Sequence, residues 1–110
     1  GMSVAVDLSG LQAVEKLRGD VLEEAAMRAE FEMRSYVPMD EGALRASGQL
    51  ASQFRAGLLV WATPYAAAQY YLPHAHTEAG TTDHWDEAWA RDRLPQWTDY
   101  VAAIYEGKMR

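Results

Sequence analysis

The chain has 110 residues, 49% of them apolar, a formal net charge of −6 and no cysteine. That suffices for one domain, 1–110, with one ordinary core, and it excludes disulfides, thiolate metal sites and cysteine nucleophiles. The ten Lys and Arg are scattered among sixteen Asp and Glu, so no basic stripe gathers phosphates and direct nucleic-acid binding is not expected.

No apolar run approaches the roughly 20 residues of a membrane helix, and no signal-peptide pattern opens the chain. The lack of cysteine fits synthesis in a cytoplasm. Gly1 before Met2 reads as the remnant of an expression tag. Val4, Val6 and Leu8 alternate with polar or small residues, which predicts a short strand with one buried face. Ser9 and Gln12 have capping-box spacing. A long helix should follow from about Leu11 to Arg34, with Leu11, Val14, Leu17, Val21, Ala25, Ala29 and Met33 on its apolar stripe. Glu24–Arg28 and Glu30–Arg34 are i,i+4 pairs in the favourable order, and Gly19 weakens the helix's middle.

Pro38 ends that helix. In "YVPMDEGALRASG", residues 36–48, Pro38, Asp40, Gly42 and Arg45 form a fold-defining corner. Pro38 fixes φ, Asp40 can cap backbone N–H groups, Gly42 can take a positive φ, and Arg45 can reach back to Asp40 or a carbonyl. One glycine and no lysine make it no phosphate loop. From Leu44 to Phe54 apolar and polar residues alternate, which predicts a strand; with a tight turn at Ala56-Gly57, residues 47–63 read as a central β-hairpin. Glu41 to Ala46 could alternatively form one helical turn capped by Asp40.

Pro64 precedes a short helix candidate, "YAAAQYY". Residues 72–84 carry no periodicity and predict an exposed loop. Asp83 is a plausible N-cap for "WDEAWARD", Pro95 the start of a second helix, and Gly107 its C-terminal stop. The predicted fold is thus α+β: a long N-terminal helix packed on a small antiparallel sheet with a central β-hairpin, closed by C-terminal helical segments.

His74, His76 and His84 are the sharpest catalytic or metal suspects. Histidines at i,i+2 point to opposite sides of an extended chain, however, and do not chelate without a kink. No serine sits in a nucleophile-elbow setting and no carboxylate pair stands out. The reading is therefore no catalytic residue, no metal site and no cofactor. Four Trp and six Tyr, most of them after residue 60, serve either as core or as contact surface. The candidate partner-binding residues are Trp61, Tyr71, His74, His76, Glu78 and Trp85.

The corner motif resembles one found in small minor capsid proteins of tailed bacteriophages and prophages, a family similar to head–tail connector and tail-completion proteins. "TPYAAAQYY", residues 63–71, and the tryptophan-led "HWDEAWARDRLPQWTDYV" are similar to two further marks of that family, and the three motifs cover residues 36–101. The resemblance implies a virion structural protein made in the host bacterial cytoplasm. It would have no enzymatic activity, other virion proteins as partners, and a place in a ring at the joint between head and tail. Two readings from other classes are a small metal-dependent enzyme using His74, His76 and His84, and a bacterial protein-binding module.

Overall fold

The structure, a computed structural model, describes residues 3–39, 42–72, 81 and 83–109. Strand β1 (Val4–Asp7) pairs antiparallel with β2 (Leu58–Trp61), Val4 opposite Trp61 and Asp7 opposite Leu58. Four helices complete the fold: α1 (Gly19–Met33), α2 (Ala43–Ala51), α3 (Ala66–Tyr71) and α4 (Trp85–Met109). The class is α+β, as the patterning predicts. One buried cluster runs from Val4 to Val101 and takes in α1, the inner face of the sheet and the tryptophans of α4.

The central hairpin over 47–63 is corrected. Residues 43–51 are helical, and the strand partner of β2 is β1, more than fifty residues away in sequence. The apparent alternation hid an i,i+4 pair, Leu44 and Gly48, which are the buried residues of α2. The tight turn survives: Gln53 and Leu58 exchange backbone hydrogen bonds across Phe54–Gly57.

The helix expected from Leu11 also begins later. Residues Leu8–Gly10 and Gln12–Val14 form 3₁₀ turns, held by Leu11 N–H to the Leu8 carbonyl and Val14 N–H to the Leu11 carbonyl, and Leu17 N–H continues the spacing to the Val14 carbonyl. Three residues per turn place Leu11, Val14 and Leu17 on one side, so a spacing of three that looks α-helical serves the tighter turn. Arg18 is extended and its guanidinium holds the Glu15 and Leu17 carbonyls. Gly19 then starts α1 at φ 54°, which a residue with a Cβ adopts only with strain. The capping box does not form: Asp7 accepts from both the backbone N–H and the hydroxyl of Ser9.

At the C-terminus two expected helices are one. Pro95 lies inside α4, and Gly107 within its last turns. α4 lies along α1, whose Ala25, Ala26 and Ala29 are fully buried. Methyl side chains let the large indoles of Trp89 and Trp97 approach the α1 backbone. Trp97 Nε1 donates to the Ala25 carbonyl at 3.0 Å, Trp89 Nε1 to Glu32 at 2.9 Å, and Tyr36 to Asp92 at 2.9 Å.

α2 packs on β2 through one close approach. A Cβ added at Gly48 would lie 2.5 Å from Nε1 of Trp61, inside van der Waals contact with a ring that is itself 1% exposed. Gly48→Ala is expected to lower stability by about 1–3 kcal/mol through overpacking. Gly107→Ala, in open space on α4, is expected to raise it by about 0.5–1 kcal/mol. Urea unfolding midpoints of the two variants check both signs.

Candidate assembly surface

Of the corner residues, Pro38, Gly42 and Arg45 are described. Gly42 has φ 83° and is the N-cap of α2; its N–H donates to the Met39 carbonyl and its own carbonyl accepts from Ala46. Arg45, one turn into the helix, donates from Nε to the Val37 carbonyl at 2.8 Å, next to Pro38. A left-handed glycine turns the chain, and the arginine ties the turn back to the strand-like approach. Asp40 and Glu41 lie outside the described residues, so the capping role expected of Asp40 does too. Gly42→Val should cost about 1–3 kcal/mol, since a β-branched residue tolerates this φ poorly; an unshifted urea midpoint would contradict the role given to Gly42.

Of the expected partner-binding residues, His74, His76 and Glu78 lie outside the described residues. Trp61 and Trp85 are corrected: they are 1% and 0% exposed, rings 5.4 Å apart edge to face, and serve as core. Tyr71 is on the surface, 62% exposed. Behind it Tyr70 packs edge-on against Trp85 and tilts against His84, with ring centroids 4.9 and 4.7 Å apart. His84 takes φ 40°, pairs with Asp83 at 3.4 Å, and its carbonyl receives the first N–H bonds of α4, from Glu87 and Ala88. Among the described residues no group of three His, Asp or Glu is placed to hold a metal ion.

The hydroxyl of Tyr70 donates to Asp86. Burial first, and that bond second, push its pKa well above the ordinary tyrosine value. An unfolded chain ionises this phenol near pH 10 while the folded chain keeps it neutral, so the resulting stability is complete below about pH 10 and lost above it. Urea midpoints measured across that range should fall more steeply for the parent than for Tyr70→Phe.

A surface that sequence reading did not single out lies on α1. Met27 and Phe31 are 50% and 56% exposed. The Arg28 guanidinium lies 5.7 Å and the Arg34 guanidinium 5.3 Å from the centre of the Phe31 ring, and Arg28 also covers Tyr100 of α4 at 5.3 Å. Each arginine is held. Arg28 pairs forward with Glu32 at 2.8 Å and not with Glu24 as expected. Arg34 bonds both oxygens of Glu30, which is 1% exposed, and the side-chain amide of Gln49 in α2 lies against the same guanidinium. The result is an exposed aromatic ring between two fixed cations. A signal for it existed: Met27 lies about 200° around the helix from Ala25, and Phe31 repeats it one turn on, so both apolar residues fall on the polar side.

A family model described as minor capsid protein matches residues 2–104. No curated protein and no solved structure matches the chain significantly. Among the described residues no helix is long and apolar enough to cross a membrane. The match spans the 3₁₀ turns, the corner, the sheet and most of α4, and the chain therefore belongs to the minor capsid protein family, structural proteins of the bacteriophage virion that work in contact with other virion proteins.

Proposed function

We propose that the protein acts as a head–tail joining or tail-completion component, without catalysis, taking its place in a ring-like assembly at the joint between head and tail. The observation that carries the reading toward protein–protein assembly is the outer face of α1. Aromatic residues, methionine and arginine are the types enriched at interface centres, where a few of them dominate binding. Phe31, Met27, Arg28 and Arg34 supply that set on one helix, with both arginines held by ion pairs on either side of the Phe31 ring before a partner arrives. Preorganised side chains lose little entropy on docking. The net charge of −6 opposes self-association of the isolated chain, which favours assembly on a template of neighbouring virion proteins. The placement at the joint rests on the similarity of the minor capsid family to head–tail connector and tail-completion proteins. Tyr71, the last residue of α3, and His74, His76 and Glu78, which follow it in sequence, stay proposed as a second contact segment.

Deleting the gene from an inducible prophage should leave unjoined or incomplete particles in electron micrographs. Complementation with Phe31→Asp should fail to restore plaques, while the purified variant keeps the parent's helical circular dichroism and urea midpoint. Normal infectious particles from the deletion strain would refute the joining role. Full complementation by Phe31→Asp would move the interface off α1.

A further inference from the structure

We infer that the open edge of β1 is a docking site for an extended segment of another chain, one that alternates apolar and basic side chains. The register of the sheet carries this. Leu8 N–H bonds the Gly57 carbonyl at 2.8 Å, so the hydrogen-bonded pairs of the antiparallel ladder are Leu8–Gly57, Val6–Leu59 and Val4–Trp61. The alternate residues, Ala5 and Asp7, turn their backbone groups away from β2. Both residues are exposed, and among the described residues no hydrogen bond meets either amide N–H.

The other edge of the sheet is treated in the opposite way. The outward N–H of Val60 is taken by the Ser52 hydroxyl at 2.8 Å, that of Leu58 by the Gln53 carbonyl at 3.1 Å, and that of Ala62, just past the strand, by the Ser47 hydroxyl at 3.2 Å. Helix α2 and the two residues after it thus seal the β2 edge, and among the described residues the outward amides of β1, a strand that α3 also approaches, are the ones left able to pair with a strand. Unpaired strand edges recruit extended peptides through main-chain hydrogen bonds, and pockets for alternate side chains select among them.

The surroundings of β1 give the sequence preference. A groove of about 170 Å³ lies between β1 and α4, walled by Val6, Leu11, Trp89 and Leu94. It takes apolar side chains on the inner face of an added strand. Asp7 and Asp86 also line it, and the Asp7 side chain lies on the outer face of β1, where same-face cross-strand neighbours meet. With the chain at −6 overall, the complementary strand is basic on that face. This site goes beyond the joining role, which rests on the α1 face and the family similarity, and either can fail without the other.

The test uses a fluorescein-labelled Lys-Val-Lys-Val-Lys amide as probe, followed by anisotropy. Saturable binding is expected, at least about tenfold weaker to Ala5→Pro. Proline fits an edge position because the Ala5 N–H makes no bond to β2, so the sheet survives while its edge is blocked without a change of charge. Hydrogen exchange of the parent protein is the second readout: saturating probe should slow the Ala5 and Asp7 amides, and Glu-Val-Glu-Val-Glu amide should not. No saturable binding, equal affinity for Ala5→Pro in a folded variant, or unchanged exchange at Ala5 and Asp7 would overturn the assignment.

Discussion

The indole of Trp97 against the alanine stripe of α1 is the contact from which the rest of the molecule takes its position. Ala25, Ala26 and Ala29 have no side chain beyond Cβ, so the ring reaches the helix backbone and its N–H finds the Ala25 carbonyl. An indole N–H buried without an acceptor would cost roughly 1–3 kcal/mol; bonded to a main-chain carbonyl, it fixes the axial register of α4 on α1 as well as their distance. Trp89–Glu32 and Tyr36–Asp92 repeat the fixing further along the seam.

That seam also explains how α4 passes through Pro95 unbroken. A proline inside a helix removes one backbone hydrogen bond and crowds the preceding turn, at about 3 kcal/mol. Trp89 and Trp97 lie on either side of it, their α-carbons about 12 Å apart along an ideal helix axis, yet their rings meet at 5.4 Å. Both rings are buried on α1, and this packing holds the two halves of α4 in line. Fixing α1 from behind in turn determines what its other side shows. Met27 and Phe31 face outward because the inner face is filled by α4, and the buried Glu30 carboxylate, satisfied by both arms of Arg34, holds one of the two cations that flank the ring.

The parts of the fold that sequence reading reached were those governed by local chemistry. The positive φ of Gly42, the return of Arg45 to a carbonyl, the turn at Gly57 and the short helix after Pro64 all follow from backbone limits that a few residues impose. The parts it missed were decided by distant partners. Nothing local to Leu58–Trp61 says that its neighbour is Val4–Asp7 rather than the segment just before it. The alternation over 44–54 gave way to a helix because Gly48 had to meet Trp61 and the hydroxyls of Ser47 and Ser52 had to cap the edge of β2. Pro95 signals a boundary in the sequence because its cost is local, while the packing of Trp89 and Trp97 that compensates it is not. Of the candidate contact residues, aromatic identity alone could not separate the buried Trp61 and Trp85 from the exposed Tyr71; the off-stripe placement of Met27 and Phe31 was the more informative sign.

A reconstruction of the intact virion by cryo-electron microscopy, at a resolution that shows side chains in the neck, tests the proposed role most directly. The expected result is this chain in a ring between head and tail, with Phe31 and Met27 of α1 buried against a neighbouring protein. Density that places the chain elsewhere in the particle, or in the neck with the Phe31 face open to solvent, would contradict it.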